Sequence, residues 1–468
     1  MSHNVGGLGA LRGRLVLVAG AGLSGLAAAR ALVELGARVI VADDAAQRLA
    51  SLPPGCVGEL KLVVPPCDLA LVVTSPGWRP DNPLLTAAAA NGTEVIGEPE
   101  LAWRWTQPGG PGEVPPRWLA VTGTNGKTTT VGMLTAILTE AGRDVLACGN
   151  VGTPVIDAVR AGHRELAVEL SSFQLYWSPS IRPAAGCLLN VAEDHLEWHG
   201  GMAGYLAAKS RVLRGGIAVA GVDNQMAATA LAQCRAPTRL GVTLAAPVPG
   251  QYGVLDNTLV DYAFDVRPVP LVAVEHVHPA GPPGQVDALA AAALARAVGV
   301  TPDQIAAGLR GYRPGPHRGV VVGERAGVRF IDDSKATNPH AADAALAGHR
   351  RVVWIAGGQL KGASITELVR QHAHRLAAVV LLGIDQGPIC DALSQHAPEV
   401  RVSKVPPGEH DPMTNAVRRA VDLATPGDVV LLAPAAASLD QFQDYAARGR
   451  AFEAAVAALP MVTAQTAQ

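Results

Sequence analysis

The stretch WLAVTGTNGKTTT at residues 118–130 decides the fold of this chain. An apolar run ends at Thr122, a glycine-spaced turn follows, and the Thr-rich segment continues into an apolar helix to about Gly142. A strand that feeds a helix through a tight turn is the building unit of a parallel sheet, because parallel neighbours need a crossover connection. The turn also carries chemistry. Gly123 and Gly126 let backbone N–H groups wrap a phosphate, with Thr124, Asn125 and Thr129 in the same loop. Lys127 has the reach for β and γ oxygens, and Thr128 offers a magnesium ligand. The strict phosphate-loop pattern wants glycine where Val121 stands, so this loop is a shortened one. An ATP site is the expectation, against the bland reading of a solvated turn with a chance lysine.

Outward from this loop the same grammar repeats. Toward the N-terminus, LVLVA at 15–19 leads into GAGLSG at 20–25 and an Ala/Leu-rich helix to about Gly36. RVIVA at 38–42 then ends at Asp43, and further strands are expected at 69–73 and 94–96. The G-x-G-x-x-G turn with a following acidic residue fits NAD. It fits less strongly another nucleotide diphosphate, because any helix N-terminus with free N–H groups favours anions, or a purely structural turn. Toward the C-terminus, strands fit at 144–148, 166–170, 185–191 and 217–222, and helices near 202–213, 285–298 and 302–310. QPGGPGEVPP at 107–116 and GYRPGPH at 311–317 read as boundaries. Beyond the second, strands at 328–332, 351–356, 377–382 and 428–433 alternate with helices.

The expected fold is α/β with three domains. These are a Rossmann-like domain over 1–107, a central ATPase-like domain over 117–312 and a second Rossmann-like domain over 316–468. A length of 468 residues agrees, at roughly 100–200 residues per domain.

Composition removes several functional classes. A net charge of −2 without a long basic run disfavours nucleic-acid binding. The start, Met1-Ser2-His3-Asn4, lacks a charged region and an apolar core of a leader, and no apolar run reaches about 18 residues, so no membrane span is expected. Six cysteines without a CxxC pair argue for reduced thiols and a cytoplasmic chain, expected to be a monomer.

Several separated segments then resemble one family. TGTNGKTT is similar to the shortened phosphate loop of the Mur ligases and of folylpolyglutamate synthase. VELSSFQL at 168–175, NVAEDHLEWHG at 190–200 and YLAAKSRV at 205–212 resemble further Mur ligase segments. So do HR at 317–318, DDSKATNPHAADAAL at 332–346, GGQLKG at 357–362 and APAAASLDQFQDYAARGRAF at 433–452. The resemblance spans nearly the whole chain, and its DSKATN and ASLDQF segments are similar to the branch that adds D-glutamate.

That resemblance implies ATP-driven amide-bond formation between UDP-N-acetylmuramoyl-L-alanine and D-glutamate, with two Mg2+ ions. It implies that the first domain holds a uridine diphosphate rather than NAD, with Leu23 and Ser24 at the turn, Asp43 toward the uracil and ribose, and Ser75 and Gly77 of SPG alongside. Asn150 of GNVGTP and Ser171 would meet the sugar nucleotide near the reacting end. Thr128 and Glu169 would hold one metal ion, and His195 with a carbamylated Lys209 the other. Glu169 and Ser171 are expected on one face of an extended strand. Arg318 and Asp333 would serve the ATP phosphates and ribose, while Lys335, Thr337, Lys361, Ser438 and Tyr445 would surround D-glutamate. Relatives carry phenylalanine where Tyr445 stands. Gly284 and Asp287 replace an asparagine pair that holds adenine in the family.

Overall fold

The computed structural model of the chain describes residues 7–108, 110–111 and 115–460. The opening residues Met1-Ser2-His3-Asn4, and positions 109 and 112–114 of the expected linker, lie outside the described residues.

Three sheets organise the structure. The first contains β1 (Leu15–Ala19), β2 (Arg38–Asp43), β3 (Cys56–Leu60), β4 (Leu69–Thr74) and β5 (Val95–Gly97), all parallel, in the order β3-β2-β1-β4-β5. The second contains β6 (Arg117–Thr122), β7 (Val145–Gly149), β8 (Glu165–Glu169), β9 (Ala185–Leu188) and β10 (Ile217–Gly221). It continues through β11 (Thr238–Val242), β12 (Gln251–Leu255), β13 (Thr258–Tyr262) and β14 (Val269–Ala273). Its order is β14-β13-β12-β11-β10-β9-β6-β8-β7, with every pair parallel except those that β13 makes with β12 and β14. The third contains β15 (Val320–Arg325), β16 (Val328–Asp332), β17 (Val352–Gly357), β18 (Leu376–Leu382), β19 (Arg401–Lys404) and β20 (Val429–Leu432), in the order β15-β16-β20-β17-β18-β19. Only β15 runs antiparallel there.

The central parallel strands are apolar on both faces because helices cover both faces. Trp118, Leu119, Ala120 and Val121 of β6 are all buried. By internal contacts the chain divides into two compact units, Met1–Val277 with Gln285–Tyr312, and His278–Gly284 with Arg313–Gln468. The first two sheets therefore share one unit.

The expected strands are present to within a few residues, and the sequence reading missed seven others. β3 is an edge strand whose side chains from Val57 to Leu60 are exposed, so it lacks an apolar signature. β12 to β14, and β15 with β16, pair as antiparallel hairpins with no helix between the strands; β19 is a mostly exposed edge strand, and β11 carries Thr238, Arg239 and Gly241 among its five residues. One expectation is corrected: β8 stops at Glu169, and Ser171 is the N-cap of the helix Ser172–Tyr176. Its hydroxyl accepts from Gln174 N, and the Gln174 side chain accepts from Ser171 N, a reciprocal cap that ends the extended run.

Candidate functional site

In a parallel sheet the loops that leave the carboxyl ends of adjacent strands gather at one edge. The order β9-β6-β8-β7 thus assembles four loops from distant stretches of sequence. The phosphate loop follows β6, Glu169 ends β8, the GNVGTP loop follows β7 and the segment from Asn190 follows β9. Hydrogen bonds lock them together. Thr124 N donates to Asn190 O at 3.0 Å, Asn125 N to Asn190 Oδ1 at 3.0 Å, and Ala192 N to Thr124 Oγ1 at 3.0 Å. The Tyr205 hydroxyl lies 3.1 Å from Thr124 Oγ1. Asn190 and Tyr205 therefore belong to the site; both stand in segments already singled out, but nothing in their residue type assigned them a role.

The loop itself is built for its turn. Gly126 has φ +87° and precedes the helix Lys127–Glu140, a conformation that a side chain would strain. Thr128 is partly exposed beside it, and Thr129 is buried. Lys127 Nζ donates to Gly123 O and to Thr124 O, each at 2.9 Å. Lys209 Nζ donates to the same Gly123 O at 2.7 Å and is almost fully buried. Burial, and then the charge of Lys127, hold the Lys209 amine well below the ordinary lysine range; Asp194 and Glu169 oppose this. Burial thus favours the uncharged amine over the ammonium at this position.

Glu169 is buried, and one of its oxygens accepts from Asn150 Nδ2 at 2.9 Å, which ties the GNVGTP loop to the acid at the end of β8. His195 takes φ +53°, packs 4.7 Å from the Phe173 ring and lies 3.5 Å from Asp194. Glu169, Asp194, Lys127 and Lys209 thus form one electrostatic group. Asp287 also reaches this loop. It accepts from Thr130 Oγ1 at 3.1 Å, and its carboxylate approaches Gly126 so closely that a Cβ there would lie 2.3 Å from it. Asp287 therefore braces the phosphate loop and the first turn of its helix.

At the first sheet, the turn after β1 lies beside β4. Gly20 takes φ +102°, a Cβ on Gly25 would lie 1.8 Å from Gly20 O, and Ser75 Oγ donates to that same carbonyl at 3.3 Å. Asp43 is buried, with Oδ2 accepting from Ala21 N at 2.8 Å and Oδ1 from Ala45 N at 2.9 Å. Burial alone would raise its carboxyl; those two N–H groups and Arg48 outweigh burial and hold it below the ordinary range. Leu23, the first residue of the helix Leu23–Glu34, is exposed, Ser24 half-buried, and Gly77 faces open space.

In the second unit the neighbours β16, β20 and β17 bring their following loops together. Lys335 Nζ stands 4.0 Å over the Tyr445 ring. Gln359 and Ala437 exchange two backbone hydrogen bonds, which seats the loop of Lys361 beside buried Ser438, and Thr337 follows Lys335 in a tight turn. Arg448, fully buried, donates from Nε to Ser334 Oγ, from Nη2 to Ser334 O and from Nη1 to Ala436 O. It clips two of these loops together. Asp333 is pushed up to about 7 by burial and by Asp332, with Arg318 pulling it down, so Arg318 and Asp333 face one another.

Among the described residues one trio has metal-ligating atoms within 4.8 Å of each other, His317, Asp332 and Glu453, and it shares no member with the expected metal residues. His317 Nδ1 donates to Asp332 Oδ2 at 2.6 Å and Lys335 N donates to His317 O, so the trio braces the loop of Lys335.

Comparison with known proteins matches residues 121–243 to the Mur ligase middle domain and residues 317–436 to the Mur ligase glutamate ligase domain. A UDP-N-acetylmuramoylalanine–D-glutamate ligase of Rhodococcus jostii is 50% identical, over 98% of this chain and 98% of the relative. The protein of that name in Mycolicibacterium smegmatis is 50% identical over 95% of this chain and 97% of its own. Among solved structures, a UDP-N-acetylmuramate–alanine ligase from Thermotoga maritima is 18% identical with a TM-score of 0.54, covering 94% of this chain and 98% of that one. That likeness concerns the fold.

Proposed function

The chain belongs to the Mur ligase family, and on that premise we propose that it joins D-glutamate to UDP-N-acetylmuramoyl-L-alanine with ATP, in the cytoplasm and as a monomer. One observation carries the reading. Half identity to D-glutamate ligases covers 95% or more of the chain, so the segments read as phosphate-handling and as acceptor-handling fall within one match to the same relatives.

A carboxylate does not react with an amine at neutral pH because its oxygen is a poor leaving group. Attack of the L-alanyl carboxylate oxygen on the γ-phosphorus of ATP forms an acyl phosphate and expels ADP. The amine of D-glutamate then attacks the carbonyl carbon, phosphate departs with the C–O electron pair, and the amine loses a proton. Positioning and charge dominate such a transfer. Lys127 meets the charge that develops on the transferring oxygens. Asn150 orients the sugar nucleotide, Leu23 and Ser24 hold its diphosphate, Asp43 lies toward its uracil and ribose with Ser75 and Gly77 alongside, and Ser171 contacts it near the reacting carbon. Arg318 and Asp333 serve ATP, and Lys335, Thr337, Lys361, Ser438 and Tyr445 serve D-glutamate.

Magnesium, when bound, would neutralise the phosphate oxygens, with Thr128, Glu169, His195 and a carbamylated Lys209 as its holders. The fit rests on the buried, depressed Lys209 amine, which can add to carbon dioxide, form an N–C bond and release a proton. The product is an anion in place of a cation that would repel metal ions.

The test is phosphate release from ATP with UDP-N-acetylmuramoyl-L-alanine and each candidate amino acid in turn. D-Glutamate should support turnover, and L-glutamate, L-alanine and diaminopimelate should not, since buried donors left unpaired cost about 10⁴-fold in discrimination. Turnover with diaminopimelate or L-alanine would overturn the assignment.

A further inference from the structure

The helix Glu98–Trp105 follows β5 of the first sheet, yet its acidic residues face the segments around the second. Glu98 and Glu100 are both fully buried. Glu98 Oε1 accepts from Ile156 N at 2.6 Å, at the first turn of the helix Val155–Arg160, whose N-cap Pro154 supplies no side-chain acceptor. Glu100 accepts from Ser180 N at 3.0 Å and from the Ser180 hydroxyl at 2.5 Å, while Arg104 Nε donates to it at 2.8 Å. Gly97 N donates to Trp177 O at 2.8 Å. One short helix is thus bolted to two loops of the neighbouring sheet by three separate contacts.

The bond to Ile156 matters because of what precedes it. The loop 149–154 carries Asn150, and its near end is fixed by Asn150 N donating to Glu169 O at 2.9 Å and by Gly149 N donating to Thr153 O at 2.9 Å. Its far end runs directly into the turn that Glu98 holds. We propose that Glu98 is a positioning residue for the sugar-nucleotide substrate: its carboxyl group fixes the far end of the loop whose near end Glu169 fixes, and so sets where Asn150 stands. The choice of substrate in this statement rests on the proposed function; the bracing of the loop does not.

Two observations identify the form of Glu98 that does this. Its second oxygen, Oε2, is buried without a hydrogen-bond partner, the mark of a carboxyl that has not been paired with a cation. Burial first, and then the charge of Asp157, push its titration up to about 8, against the N–H groups of Ile156 and Val155. The groups that face it are Asp157 on the helix Val155–Arg160 and the thiol of Cys148 on β7; Asp157 is itself paired with Arg30 and Arg160. At neutral pH the brace is an uncharged acid. The sign follows from proton linkage. Between 4.5 and about 8 the folded chain keeps a proton that the unfolded chain has lost, so this group's stabilisation declines as pH rises through that window.

The experiment compares the full chain with Glu98→Ala and Glu98→Gln. Amide exchange without substrate should quicken in Glu98→Ala across residues 149–158, while the turn at Asn125 and Gly126 keeps its protection. KM for UDP-N-acetylmuramoyl-L-alanine should rise about tenfold in Glu98→Ala, with KM for ATP within about twofold, since one buried hydrogen bond is lost. Glu98→Gln keeps an acceptor for Ile156 N and should recover the loop. It should also lack the rise in that KM expected of the natural chain above about pH 8, where Glu98 would ionise. Unchanged exchange over 149–158 in Glu98→Ala overturns the proposal. If that variant does not fold, a Glu98→Gln pH course identical to the natural chain's overturns it instead. A natural chain that ligates no D-glutamate would sink the proposed function and leave the exchange result to judge Glu98.

Discussion

The two glycine turns of the first unit share a backbone plan and are held by charges of opposite sign. In the turn after β1, an acid does the holding: Asp43 takes the N–H groups of Ala21 and Ala45. In the turn after β6, two lysines do it, and they bind carbonyls: Lys127 takes those of Gly123 and Thr124, and Lys209 takes Gly123 as well. The first turn is a fixed cradle of neutral donors, suited to a diphosphate that stays where it is bound. The second is held through its carbonyls, by Lys127 and by the buried Lys209 amine, whose titration lies well below the ordinary lysine range. A strand, a glycine turn and a helix therefore do not fix a turn's chemistry; the buried ionisable groups around it do.

The sharpest way to break this contrast is to remove the cation from the second turn. Lys127→Ala should lower kcat by about 10³-fold or more while the chain stays folded, since the lysine answers transition-state charge. Near-natural phosphate release by a folded variant would abolish the distinction between the turns.

Lys209 comes next. Lys209→Ala should cost about 10²-fold in kcat, and the natural chain should show a carbamate signal with ¹³C-labelled bicarbonate that the variant lacks. A full-activity chain with no such signal would leave the second turn without its anion. The same residue makes a stability prediction whose sign is fixed by burial. Between its lowered titration point and 10.5 the unfolded chain binds a proton that the folded chain does not, so this contribution grows as pH rises. Lys209→Met should melt higher at pH 7, by about 2–4 °C, with the gap narrowing toward pH 10.5. A pH-independent gap would count against a depressed amine.

The first turn should yield a smaller and different effect. Asp43→Ala frees two N–H groups and should raise KM for the sugar nucleotide about tenfold while leaving that for ATP alone. Equal changes in both would mean that Asp43 only stabilises the fold. The smallest effect belongs to the second unit. Tyr445→Phe keeps the ring beneath Lys335 and should change KM for D-glutamate by no more than about twofold, whereas Tyr445→Leu should raise it about fivefold. A large loss in the phenylalanine variant would assign the hydroxyl, and not the ring, to the acceptor.

The contrast between the turns was half visible in the sequence. Both turns, the strands before them and Lys127 could be read from residue order, because glycine spacing and apolar runs are local signals. The role of Lys209 as a neighbour of Gly123 could not, since 86 residues separate them and only the strand order brings them together. Burial was equally hidden. Arg and Glu are residue types rarely found inside, yet Arg448 and Glu98 each lie in the interior with backbone partners. Ser171 shows the opposite failure. A Ser followed three residues later by Gln is a helix-start signal, and the alternation around Glu169 masked it. Antiparallel β12 to β14 escaped because hairpins at a sheet edge need no helix between strands.

The strand order around the phosphate loop has a consequence for how the chain is made. β6 pairs with β8 and β9, and β7 joins the sheet only through β8. On a ribosome β6 emerges first and waits without either neighbour until residues 165–188 have followed it out. Thr124 and Asn125 wait longer still, for Asn190. A nascent chain halted before β8 would hold the full TGTNGKTT text and no formed nucleotide site, with an apolar strand exposed to whatever it meets. Such distant pairing is slow to close and open to aggregation. The surroundings of the phosphate loop therefore depend, during synthesis, on uninterrupted translation as far as Asn190.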